Sequence, residues 1–129
     1  MKLNHNCVRM LLLFLEDNLS LTNQAVLNGV VIDKYTSDEI VYAGIKLSEA
    51  GYIDAHINQY AYGDTPKVVV EQITWEGHKF LDNIRDDTVW GHTMKVVSKF
   101  SLTSIAFVSN IASQVLTNLI TQYMNGVIN

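Results

Sequence analysis

The sequence predicts an α+β chain, mostly helical, and three observations carry that expectation. A T-x-x-E capping box, Thr36 to Glu39, opens a helical pattern that ends at Gly51. Two segments, YIDAHI (52–57) and VVVEQI (68–73), flank a polar loop that holds Gly63 and Pro66. Elsewhere apolar residues recur at spacings of three and four, the period of a helix with one buried face. The 129 residues suit one domain with an appended element. We expect a first domain over 1–87 and a helical C-terminal extension over 88–129.

The elements follow in order. NHNCVRMLLLFLEDN (4–18) reads as a helix with Asn4 as its N-cap and Cys7, Met10, Leu11, Phe14 and Leu15 along one face. In LSLTNQAVLNGVVIDKY (19–35), Asn28-Gly29 is a turn signal. The VVI after it favours a short strand, preceded by an irregular or helical piece. The capped helix over 36–50 sets Ile40, Ala43, Gly44 and Leu47 on one side. The two strands then form an antiparallel hairpin. Thr74 caps a third helix whose apolar side is Phe80, Leu81 and Ile84. Asp87 is expected to cap a fourth helix, with Trp90, Met94, Val97 and Phe100 at helical spacing. A last helix runs from about Leu102 to Met124.

Helix, short strand, capped helix, two-strand hairpin, helix is the order of a winged-helix module, here followed by two C-terminal helices. In such modules the helix before the wing often enters a major groove. TSDEIVYAGIKLSEAGYIDA, ITWEGHKFLDNIRDDTVW and the opening MKLNHNCVRMLLLFLED resemble the domain-of-unknown-function 2513 family. The resemblance covers most of the chain and is weaker from residue 101 onward. The pattern [ILV]-T-x-x-G-x-x-[FL]-L, matched by Ile73, Thr74, Gly77, Phe80 and Leu81, is shared more widely by winged-helix regulators. The resemblance implies a winged-helix fold and a phage or prophage background, and it brings no catalytic residues. Physically, Gly77 removes a side chain where helix and hairpin approach, and Trp90 is large enough to anchor the fourth helix.

Composition narrows the function. Net charge is −4, whereas proteins that hold nucleic acid through phosphates show at least a local basic excess. The helix over 37–50 carries Asp38, Glu39 and Glu49 against Lys46, a net of −2, and in the loop Asp64 cancels Lys67. One cysteine, Cys7, allows no internal disulfide and fits a cytoplasmic setting. The run Met10–Leu15 is too short for a signal-peptide core. His78 and Asp82 lie four apart, and His5 and Cys7 two apart, but neither pair has the ligand number or spacing of a metal site. Nucleophile-elbow, P-loop and dinucleotide motifs do not occur. We therefore expect no enzyme, no cofactor and no metal.

Two functions stay open. The first is a non-enzymatic winged-helix interaction module that acts through protein–protein contacts and self-association. The second is a DNA-binding transcriptional regulator of a phage or mobile element. Contacts to a partner or to DNA are expected from Tyr42, Lys46, Tyr60, Tyr62 and Lys67. Self-association is expected from the tail, because Phe100 to Asn129 contains no Lys, Arg, Asp or Glu. Polar pairs interrupt it every four residues, so it does not read as a membrane span. At about 100° per residue such a stripe advances about 40° per repeat and wraps around the helix. The expected surface against a second copy, a homodimer above all, is Val108, Ile111, Ala112, Val115, Leu116, Leu119, Ile120 and Tyr123, with small polar side chains permitting close approach or hydrogen-bonding across the seam.

Overall fold

Helix α1, His5–Asn18, begins where the sequence predicts: the side chain of Asn4 accepts the backbone N–H of Cys7 at 3.1 Å. Its buried face is Cys7, Val8, Leu11, Leu12 and Leu15, while Met10 and Phe14 are half-buried. The stripe is thus rotated from the expected one. Every position from Met10 to Leu15 is apolar, so spacing alone admits either face.

The chain then enters β1, Ala25–Val26, which pairs antiparallel with a later strand, β3 (Lys67–Ile73). The strand expected at Val30–Ile32 is absent; the ladder lies before the Asn28-Gly29 turn instead. The cause is the Asn28 side chain. Its amide donates to the Pro66 carbonyl and accepts the Val68 N–H, both at 2.9 Å. The side chain thus continues the pairing that a strand would have supplied, and Gly29, at φ 89°, turns the backbone away.

Helix α2, Ser37–Glu49, opens on the expected reciprocal box: Thr36 Oγ1 accepts the Glu39 N–H at 3.1 Å and Glu39 Oε1 accepts the Thr36 N–H at 3.0 Å. It closes at Gly51, φ 80°. Strand β2, Ile53–Asn58, pairs antiparallel with β3, giving the sheet order β1-β3-β2. The register slips between Asp54 and Ala55, leaving Glu71 as the bulged residue. The core gathers α1, α2 and the sheet: Leu11, Leu12, Leu15, Leu27, Ile40, Leu47, Ile53, Val68 and Val70 are buried. At 2–3 kcal/mol or so for each large apolar side chain, this burial is the main driving force.

Thr74 ends β3 and caps helix α3, Trp75–Ile84. Its hydroxyl donates to the Gly51 carbonyl at 2.7 Å and accepts the Gly77 N–H at 3.1 Å. One side chain therefore ties the end of α2 to the start of α3. Gly77 lies against the hairpin as expected. A Cβ there would land on the Tyr52 carbonyl oxygen and crowd Ile73. That oxygen is held in place, because it accepts the Thr74 N–H at 3.0 Å.

Helix α4, Asp87–Val97, is capped by Asp86, not by Asp87: Asp86 Oδ1 accepts the N–H groups of Thr88 and Val89 at 2.9 and 3.0 Å. An Asp-Asp-Thr run offers three side chains able to cap, so spacing did not single one out. Trp90 is buried on α4. Phe100 lies beyond the helix, exposed, with its ring edge-on to Phe107. Helix α5 spans Ile105–Ile128.

The structure, a computed structural model, describes residues 1–59, 65–101 and 104–128. Over these residues the chain is α+β and mostly helical, with five helices and one three-stranded antiparallel sheet. It divides into two units, Met1–Leu81 and Asp82–Asn129. Among the described residues, no helix is long and apolar enough to cross a membrane.

Candidate interaction surfaces

The first surface is the outer side of α2. Tyr42 and Lys46 stand one turn apart, and the Lys46 ammonium sits over the Tyr42 ring, 5.3 Å from its centre. The same ammonium reaches Glu49 at 2.9 Å. The Glu49 carboxylate, first by hydrogen bond and then by charge, holds Lys46 above its ordinary range and firmly protonated. Lys46 is the one basic residue of α2, and a carboxylate of the same helix already engages it. Glu49 is exposed, as is Asp38 in the first turn of the same helix. Tyr42 also lines a shallow cleft of about 240 Å³ with Met1, Asp38, Val41, Ile45, Thr65 and Pro66, which joins α2 to the residues leading into β3. Lys67 follows Pro66 as the first, half-buried residue of β3. Tyr60 and Tyr62 lie outside the described residues.

Glu39, at the start of α2, is held below the usual carboxylate range. The Thr36 backbone N–H is the main cause, followed by the Asn4 side-chain amide, which donates to Glu39 Oε2 at 3.1 Å. One carboxylate therefore joins the caps of α1 and α2, a link with no local signature because its partners are 35 residues apart.

A second concavity, about 250 Å³, lies between the end of α1 and β3. Leu15, Leu19, Leu21 and Ile73 supply its apolar lining, and Glu16, Glu71 and His78 its titratable groups. On the hairpin, Glu71 faces His56 Nε2, and Gln72 donates to Asp54. His78 and Asp82 do not act together: Asp82 accepts a hydrogen bond from Arg85 at 3.1 Å. Cys7 is fully buried on α1, and burial pushes its thiol up to about 11. Such a thiol is a poor nucleophile at neutral pH. Among the described residues, no three His, Cys, Asp or Glu side chains converge as a metal site would require.

The last surface belongs to the α4–α5 pair, and here the expected stripe divides. Val108 and Ala112 are 0% exposed and so cannot meet a second copy. Val115 and Leu119, half-buried, line a groove of about 390 Å³ with His92, Lys95 and Val96 of α4, so they face α4. Ile111 and Leu116 are half-buried. Ile120 and Tyr123 are open, at 52% and 69%, and are joined by Met124 and Val127 at 44% and 60%, which the sequence reading left out. Two of the small polar residues already have partners inside the helix. Thr117 and Thr121 donate back to the Ser113 and Thr117 carbonyls at 2.8 and 2.9 Å, satisfying their hydroxyls within the helix.

These elements define a class, a small and mostly helical α+β protein with a capped helix beside a β-hairpin. More particularly, the chain belongs to the family described as "Hypothetical protein (DUF2513)", whose model matches residues 2–103. It is also similar to an uncharacterized protein of Haemophilus influenzae, 27% identical over 121 residues that cover 93% of this chain and 99% of the relative. No solved structure matches.

Proposed function

We propose that the protein is a non-enzymatic winged-helix interaction module, of the phage or prophage type its family resemblance implies, that works through protein–protein contacts and self-association. The order α1-β1-α2-β2-β3-α3 and the sheet order β1-β3-β2 support the winged-helix reading, with α2 in the recognition position and β2-β3 as the wing. One observation carries the choice of protein over DNA: the only basic side chain of α2, Lys46, is engaged by Glu49 at 2.9 Å while Asp38 and Glu49 stay exposed. A duplex laid against α2 would meet two carboxylates, and freeing Lys46 for a phosphate would cost its existing pair. Phosphate neutralisation is the sequence-independent part of DNA affinity, and α2 does not provide it. The fold order alone favours the competing reading, a DNA-binding regulator of a mobile element; a fold by itself does not fix a function.

Titration of random duplex DNA at low salt tests this. The parent and Lys46→Glu are both expected to show no binding in the micromolar range. Micromolar binding that weakens steeply with salt, and is lost in Lys46→Glu, would overturn the proposal in favour of the regulator.

A further inference from the structure

Two apolar seams run along α5, and among the described residues of its unit one of them packs against α4. Ile105, Val108, Ala112, Val115, Leu119 and Gln122 follow each other at spacings of three and four. The first three are buried and the last three line the groove shared with α4. Leu116, Ile120, Tyr123 and Val127 follow at four, three and four, the seven-residue repeat of a coiled-coil seam. At 100° per residue the two seams lie roughly 80° apart around the helix. The second is increasingly open along its length: Leu116 is half-buried, and Ile120, Tyr123 and Val127 are 52%, 69% and 60% exposed.

Length explains why it is uncovered. At 1.5 Å per residue, the 24 residues of α5 extend about 36 Å and the 11 of α4 only about 16 Å. Helix α4 spans less than half of its neighbour.

Resting on the self-association proposed above, we infer that Leu116, Ile120, Tyr123 and Val127 form a parallel, two-stranded seam with the same residues of a second copy. Three features select that occupant. In the heptad, Ile120 and Val127 take a positions and Leu116 and Tyr123 take d positions. β-Branched residues at a with Leu at d favour two parallel strands; both a residues here are β-branched and one of the two d residues is Leu. The flanking positions, Thr117, Leu119, Met124 and Gly126, carry no charge, so identical helices meet without like-charge repulsion. Packing on α4 already orders the helix, which lowers the cost of association. The strip from Leu116 to Val127 is only about 17 Å long and about 10 Å wide, less than the ~800 Å² per partner of a standard interface. The dimer is therefore weak and concentration-dependent.

The test uses the full chain. Sedimentation equilibrium of the parent is expected to show a reversible monomer–dimer equilibrium, and Ile120→Asp a monomer throughout; because Ile120 is exposed in the single chain, the two proteins should melt alike at concentrations too low for association. Under mild oxidation Val127→Cys and Ile120→Cys are each expected to give disulfide-linked dimers, since facing a positions lie within disulfide reach. Asn118→Cys, on the opposite side, is expected to give none. A dimer that persists in Ile120→Asp would overturn the seam while leaving self-association standing. Dimerisation of the parent without cross-linking at position 127 would overturn the parallel arrangement. A parent that stays monomeric at hundreds of micromolar would sink both the seam and the self-association reading.

Discussion

The first unit and the last helix handle exposed surface in opposite ways. In Met1–Leu81 the apolar faces of α1, α2 and the sheet close on one another, and long-range polar contacts lock the joints: Asn4 to Glu39, Asn28 to the base of β3, Thr74 to the end of α2. Leu21, Val31 and Trp75 are exposed there, but they share no helix or strand; single exposed apolar residues are ordinary. In α5, by contrast, exposed apolar residues recur at a fixed interval on one helix, and the hydroxyls beside them are satisfied within it. Scattered exposure needs no partner, whereas periodic exposure marks a face built to be covered.

Substitutions sharpen this contrast. The largest effect is expected from Gly77→Val. Its side chain would meet a backbone carbonyl that is itself hydrogen-bonded, so overpacking should cost about 3 kcal/mol or more. Thermal melting should show this loss equally at low and high protein concentration, since the defect lies inside the first unit. An unchanged melting temperature would contradict the close approach.

Asn28→Ala should follow, at about 2 kcal/mol, because it strips the buried Val68 N–H of its acceptor. Urea denaturation checks this. A loss within a few tenths of a kcal/mol would mean the backbone re-forms a strand after the turn, as the sequence alone suggests.

Thr36→Ala should cost about 1 kcal/mol by removing an N-cap. The same cap gives a pH signature. Folding holds Glu39 ionised below its ordinary range, so its contribution is complete above the unfolded carboxylate range and is lost as the pH falls through the lowered folded value. Glu39→Gln should therefore flatten the acid limb of the stability profile, and an acid limb identical to the parent's would contradict the assignment.

Much of the first unit was legible because its signals are local. Thr36 and Glu39 lie three apart, Gly51 follows directly, and Thr74 with Gly77 forms one turn. The misreadings arose where the deciding contact is distant or the pattern degenerate. Nothing near Val30 reveals that the Asn28 amide would bond Pro66 and Val68, 38 and 40 residues away. The all-apolar run from Met10 to Leu15 hides which face is buried. In α5 the composition announced a helix with unusual surface needs. Repeating polar pairs, however, read as one wrapping stripe, and only the shortness of α4 separates the covered seam from the open one. The candidate surface was therefore half visible: Leu116, Ile120 and Tyr123 were within reach of periodicity, whereas Val127 needed the helix to run past Met124.

Hydrogen exchange of the full chain at low and high protein concentration tests the contrast most directly. Amide protection in α1, α2 and the sheet should not depend on concentration, while amides between Leu116 and Val127 should gain protection as concentration rises. Protection in α5 that is independent of concentration, or a gain that falls on α2 and the hairpin instead, would contradict the account.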